Sequence, residues 1–247
     1  MNDLIKVEEK DEICIVRMEA RQFKNTFVDS FINELKDTFY YISNNKNNKV
    51  VVITGYDNYF CCGGSQEELR KICSGEITFE NLGFYDLLYK CPIPVIAAMQ
   101  GHAIGGGLSF GCYADIIIMA KESIYSANFM RYGFTPGMGA TFIIPFRFGT
   151  LLGNEMLISA KNYYGDELRD RGIQAKVVNK KEVFGCAMEM AYELTKMPRE
   201  ALVLLKKHMN QQICEQIDNY IKQELLMHEN TFKNEMVLNN IENNFGK

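Results

Sequence analysis

The sequence predicts an α/β fold, a layered core with much parallel strand pairing that runs without a linker into a helical region. Two observations carry this reading. Apolar runs at Lys49–Thr54, Pro94–Met99 and Asp115–Ala120 read as strands buried on both faces, and stretches with apolar residues at helical spacing separate them. Past Pro136 the pattern is helical almost throughout. The change divides the chain into 1–136, an α/β core, and 137–247, a helical region expected to pack with it as one structural unit.

The opening alternates. Leu4–Glu8 and Ile13–Met18 are strand-like runs about Lys10-Asp11, which suggests a hairpin. Between Phe27 and Ile42, Phe31, Leu35, Phe39 and Ile42 fall at helical spacing, so this stretch is expected to be a helix with one buried face. Asn44–Asn48 is a polar break before the strand that ends at Gly55. Glu67–Cys73 and Asn81–Tyr89 read as helices, and Gly106–Tyr113 as a helix of small residues between two strands. Thr141–Phe148, Leu151–Ser159, Asp166–Arg171, Lys181–Lys196 and Arg199 to about Phe232 complete the helical region, interrupted only by a strand-like Lys176–Val178.

Composition removes several classes of function. Lys and Arg number 27 against 31 Asp and Glu, a net charge of −4, which excludes a globally basic nucleic-acid binder. Apolar residues make up 47% and charged ones 23%, as in a folded domain rather than a disordered chain. No apolar run reaches the ~20 residues of a membrane span. The charged opening MNDLIKVEEKDE lacks the apolar stretch of a secretory signal. Eight cysteines are scattered without a C-x-x-C pair, and there are three histidines, so reduced thiols in a cytoplasmic protein are expected, and no metal site.

Two glycine clusters each follow a buried strand and lead into a helix: Cys61-Cys62-Gly63-Gly64-Ser65 and Gly101-His102-Ala103-Ile104-Gly105-Gly106-Gly107. Glycine lets the backbone approach a ligand closely. The first N–H groups of a helix have no partner within it. Two such turns facing one pocket would form a two-donor oxyanion hole. Phosphate binding fits less well: Leu108 follows Gly107 where a P-loop needs lysine, and the cluster does not supply G-x-G-x-x-G. Tight turns and close packing alone would also use glycine, but a third glycine-rich turn at Thr135-Pro136-Gly137-Met138-Gly139 strengthens the site reading.

Taken together, F-C-C-G-G-S, P-V-I-A-A-M-Q-G-H-A-I-G-G-G, A-D-I-I-I and G-F-T-P-G-M-G-A-T resemble the crotonase (enoyl-CoA hydratase/isomerase) superfamily, in order and spacing over essentially the whole chain. The resemblance implies a crotonase-type spiral of ββα units with a C-terminal helical trimerisation region. It also implies a thioester enolate held by two backbone N–H groups, which fall on Gly64 and Gly106. Hydratases of the superfamily use two glutamates to activate water. Their positions are occupied here by Ser109 and Phe129, neither of which is a general base near pH 7. A reaction that needs an enolate but no activated water, such as decarboxylation, fits this residue set.

The stretches I-T-G-Y-D-N-Y-F-C-C-G-G-S-Q-E, N-F-M-R-Y-G-F-T-P-G-M-G-A-T-F-I and E-L-L-M-H-E-N-T-F are similar to the decarboxylases of the β-branching cassette in polyketide synthases. That resemblance implies decarboxylation of a 3-methylglutaconyl group to 3-methylcrotonyl on an acyl carrier protein, in a homotrimer or dimer of trimers. No cofactor is implied beyond the phosphopantetheine that the substrate carries. It places the catalytic histidine at His228 and sets Ser109, Phe129 and Phe134 against the substrate. Independently, Ile221, Leu225, His228, Phe232 and Met236 fall on one helical face, with His228 its polar member, suited to binding the departing carboxylate and to proton transfer. Some members of this group also place a lysine in the pocket from the segment after the first oxyanion donor. Gly75–Asn81 has none here. His102 is expected to pack behind the pocket, His208 on the surface, and Cys61 and Cys62 as small fillers rather than nucleophiles. Two other readings remain: an isomerase or hydrolase of the same fold acting on an acyl-CoA, and a non-catalytic scaffold.

Overall fold

The computed structural model describes residues 4–77 and 83–245. Strands β1 (Ile5–Lys10) and β2 (Ile13–Met18) form the expected antiparallel hairpin. Asp11 and Glu12 at its tip both take positive φ, which matches a tight loop to the right-handed twist of the strands. Helix α1 (Asp29–Asn44) buries Phe31, Leu35, Phe39 and Ile42 as their spacing requires. Strands β3 (Val50–Thr54), β5 (Val95–Met99), β7 (Ile116–Ala120) and β10 (Lys176–Val178) add to β2 in parallel, giving the order β1-β2-β3-β5-β7-β10.

The inner strands of this sheet are apolar on both faces because both are covered, whereas the edge strand β1 is exposed along most of its length. Val51, Ile53, Val95 and Ala97 point into the main core, while Val50, Val52, Ile96 and Ala98 point to the opposite face. There α8 (Lys180–Thr195) lays Val183, Ala187 and Ala191 over them. Side-chain alternation within a fully apolar run assigns successive residues to the two layers.

A second, four-stranded sheet positions the site: β4 (Tyr59–Cys61), β6 (His102–Ile104), β8 (Ile124–Ser126) and β9 (Tyr163–Tyr164). It has no counterpart among the strands expected from the sequence. Strands of two or three residues are too short to show an alternating pattern. Both sheets draw strands from beyond residue 136: β9 pairs with β8, and β10 with β7. Short helices α2 (Gln66–Cys73) and α4 (Gly106–Cys112) follow β4 and β6. Of the expected helix at Asn81–Tyr89, residues 81–82 lie outside the described residues, and α3 covers Leu87–Lys90.

Beyond these, α5 (Ala140–Phe148), α6 (Thr150–Ser159) and α7 (Gly165–Asp170) match expectation within a residue or so. The single helix expected from Arg199 to Phe232 is two, α9 (Arg199–Met209) and α10 (Gln211–Thr231). They break at Asn210, whose side-chain amide donates to the Tyr89 carbonyl at 3.1 Å and to Asp115 at 3.2 Å. A further helix, α11 (Glu235–Asn244), starts at Asn234, whose side chain accepts the Met236 N–H. The apolar stripe therefore ends at Phe232, and Met236, on the next helix, is 56% exposed.

Lys206 ties α9 to the core. Its buried Nζ lies 2.8 Å from Asp115 and donates to the carbonyls of Leu88 at 2.9 Å and Ile93 at 3.0 Å. Replacing it with methionine strands the Asp115 charge, so Lys206→Met is expected to cost about 3–5 kcal/mol. Denaturant unfolding measures this, and an unchanged midpoint would show that the pair contributes nothing.

Candidate active site

Each glycine turn is shaped by close backbone approach. Gly63 has φ +74°, and a Cβ there would stand 2.6 Å from the Ile104 carbonyl oxygen and 3.0 Å from the Gly106 nitrogen. The first turn thus lies directly against the start of the second helix. Gly105 takes φ 55° and ψ −122°, a conformation for glycine, and delivers Gly106 as the first residue of α4. No backbone hydrogen bond among the described residues uses the N–H of Gly64 or of Gly106. Both glycines line one cleft of about 600 Å³.

The two glycines differ sterically. A Cβ on Gly106 would stand 2.7 Å from the Met138 sulfur and 3.3 Å from the Phe27 ring, whereas one on Gly64 meets only Leu69, at 3.6 Å. Alanine therefore fits at 64 as it stands and keeps its N–H, whereas at 106 it fits only once the end of the Met138 side chain has shifted.

Phe129 and Phe134 line the same cleft, with ring centroids 6.2 Å apart. Ser109 is set back from it. Fully buried on α4, its hydroxyl lies 3.5 Å from the Gly105 carbonyl and it is not among the lining residues. His228 is also absent from the lining. Its Nε2 lies 3.0 Å from both the Thr135 and the Pro136 carbonyl oxygens, so that nitrogen carries a hydrogen and donates it. Its ring stands edge-on to Phe232 at 5.2 Å, and Phe232 stacks on Phe134 at 4.6 Å. Burial lowers the imidazole pKa, opposed by the two carbonyl contacts. The structure thus brings together Gly64, Gly106, Phe129 and Phe134, and seats His228 beneath the turn that carries Phe134 and Met138.

Sequence reasoning missed two glutamates. Glu224, one turn before His228 on α10, holds the other end of that turn. Its carboxylate accepts from the Gly139 N–H at 2.7 Å, the Thr141 N–H at 2.9 Å and the Thr141 hydroxyl at 2.6 Å. Its place on the stripe with Ile217, Ile221 and His228 was the available signal. Burial raises its pKa from 4.5 to about 7 against these three bonds. A raised carboxyl pKa favours the protonated folded state. The resulting stability is complete at pH below the ordinary carboxyl range and lost as pH rises to about 7. Melting temperature should therefore fall over that range in the native protein more steeply than in Glu224→Gln. Equal slopes would contradict this assignment.

The second is Glu68, which lines the cleft and gives it a carboxyl group although Ser109 and Phe129 occupy the two family glutamate positions. His102 lines it too rather than packing behind it. His102 Nδ1 accepts the Ile124 N–H at 2.9 Å, and burial, with Lys180 adding, lowers its pKa. His208 is exposed, as expected. Cys61 is buried, its thiol held well above the usual range by burial. Burial also pushes Cys62 up to about 11, with Lys24 opposing. Neither offers a thiolate at neutral pH. Among the described residues no group of three or more His, Cys, Asp or Glu could hold a metal ion.

The enoyl-CoA hydratase/isomerase family model matches residues 8–243. The chain belongs to that family. Within the family, the bacillaene synthase decarboxylase PksI of Bacillus subtilis is 47% identical over 244 residues, 99% of this chain and 97% of its own. A solved structure from a dehydratase/decarboxylase enzyme couple involved in polyketide β-branching superposes with a TM-score of 0.97 at 46% identity, covering 99% of this chain and all of that one. The ECH2 decarboxylase domain of CurF from Lyngbya majuscula superposes with a TM-score of 0.93 at 37% identity, covering 98% and 99%. The chain is accordingly a decarboxylase of the enoyl-CoA hydratase/isomerase family, a carbon–carbon lyase. The crotonase expectation for the fold holds. Among the described residues no helix is long and apolar enough to cross a membrane.

Proposed function

We propose that the chain decarboxylates a 3-methylglutaconyl thioester, carried on the phosphopantetheine of a polyketide synthase acyl carrier protein, to 3-methylcrotonyl. One observation supports the reading: Gly64 and Gly106, on separate turns, line one cleft with their N–H groups outside any backbone hydrogen bond among the described residues, while Ser109 and Phe129 stand where water-activating glutamates would be. Loss of CO2 leaves an electron pair that conjugates through the alkene to the thioester oxygen. N–H groups aimed at that oxygen stabilise the charge as it develops. The thioester is itself the electron sink, so the chemistry calls for no further cofactor. Phe129 and Phe134 exclude water from the acyl group. His228 is the residue that fixes the Thr135–Pro136 turn, and with it Phe134 and Met138, against the donors.

Comparing turnover of 3-methylglutaconyl on a carrier protein and on CoA tests this. Faster loss of CO2 from the carrier-bound thioester is expected. Isomerisation or hydrolysis of the CoA thioester as the main reaction would favour the acyl-CoA reading, and inertness toward both would favour a scaffold.

We also propose a homotrimer, or a dimer of trimers. Leu151 on α6 is 89% exposed, Ile158 on the same helix 77%, and Leu204 on α9 68%, more apolar surface than these helices need leave in water. Light scattering at micromolar concentration should give a multiple of three chains. A stable monomer would contradict it.

A further inference from the structure

Among the described residues Glu68 is the one carboxyl group lining the cleft. It stands on α2, one helical turn after Gly64. Ser65 caps this helix by accepting the Glu68 N–H at 3.1 Å, and at that spacing a glutamate commonly closes a capping box. Glu68 does not fill that role: the residue is 4% exposed, and its Oε2 is buried without a hydrogen-bond partner. Its nearest cation, Lys71 at 3.8 Å, is engaged by Glu67 at 3.1 Å. A buried, unpaired carboxyl oxygen at a cleft is costly unless a ligand completes it.

The other charged groups around it do not offset the effect of burial. Burial is the largest influence and raises the Glu68 pKa; a hydrogen bond from its own backbone N–H and the Lys71 charge oppose this, and Glu67 on its own helix and Asp29 on α1 add to it. On α11, Glu242 is turned to Arg70 at 3.9 Å. Lys24, His102 and Arg131 line the cleft as well.

The inference rests on the decarboxylase reading above. The substrate brings a carboxylate into the cleft, and two carboxylates in one dry site cannot both ionise cheaply. We infer that Glu68 and the substrate carboxylate hold one proton between them, and that Glu68 gives this proton to the dienolate when CO2 leaves. The atoms and charges balance. The bond from carbon to the carboxylate breaks, its electron pair passes to the thioester oxygen, and CO2 departs uncharged. The proton stays on Glu68. A dienolate carbon then takes it, forming the new C–H bond, and Glu68 is left as a carboxylate that the next substrate and a solvent proton reload. This supplies carboxylate recognition without the pocket lysine absent from Gly75–Asn81, of which residues 78–81 lie outside the described residues.

Kinetics of Glu68→Gln and Glu68→Asp with 3-methylglutaconyl on a carrier protein test this across pH. Glutamine can still donate to the substrate carboxylate, so KM should stay within a few-fold, but it has no proton to give. Its kcat should fall by ~10²–10⁴, the range for a positioned acid. Native kcat/KM should fall as pH rises through the Glu68 titration. That limb should vanish in Glu68→Gln and persist in Glu68→Asp. Native turnover and pH profile in Glu68→Gln would overturn the inference. If Glu68→Gln does not fold, a Glu68→Asp profile lacking the limb would do the same. No CO2 release from the native protein would instead remove the decarboxylase reading on which it rests.

Discussion

Replacing Gly106 with proline is expected to lower turnover by ~10²–10³, or ~3–4 kcal/mol of transition-state stabilisation, because it deletes an oxyanion donor. The position suits the test. Gly106 opens α4, where proline costs no helical hydrogen bond. Gly106→Ala is the control. It keeps the N–H and shares with proline the encounter of a Cβ with the Met138 sulfur, at the end of a side chain that can move. Alanine should therefore lose far less than proline. Equal losses in the two folded variants would assign the effect to the clash, and full activity in folded Gly106→Pro would remove Gly106 from the site.

Replacing His228 with alanine is expected to lower kcat by about 10²-fold, the cost of a small misplacement at a reacting centre. The imidazole donates from Nε2 to the Thr135 and Pro136 carbonyls and packs on Phe232, so its loss frees a turn that carries Phe134 and Met138 to the cleft. His228→Gln presents an amide N–H to the same carbonyls and should recover much of the loss in kcat, with KM little changed. A glutamine variant that melts like the native protein yet is as slow as alanine would show that the imidazole itself moves a proton.

What could be read from the sequence follows from how local each signal is. The buried strands at 50–54, 95–99 and 116–120 announce themselves because a strand covered on both faces must be apolar at every position. The glycine turns are equally local: Gly63 and Gly105 need positive φ, and Gly107 has no room for a side chain beside the Cys61 carbonyl. Signals that depend on distant partners were lost. The break at Asn210 exists because Tyr89 and Asp115 offer acceptors, and nothing near Asn210 in sequence says so. Glu68 looks like a solvated charge on an amphipathic helix, and the place of Glu224 on the stripe with Ile217, Ile221 and His228 signals burial but not its partners. Only the folded chain shows one capping a loop some 85 residues earlier and the other buried at the cleft. Ser109 was misplaced for a related reason. Its sequence position resembles that of a catalytic residue, but a short hydroxyl on a tightly packed helix turns back to the Gly105 carbonyl instead of reaching the cleft.

Decarboxylation without hydration is tested most directly by the mass of the product formed from 3-methylglutaconyl-carrier protein in water labelled with heavy oxygen. Loss of CO2 with no incorporation of label is expected, because the thioester oxygen receives the electrons and neither Ser109 nor Phe129 activates water. A labelled water adduct with the carboxyl group retained would contradict it.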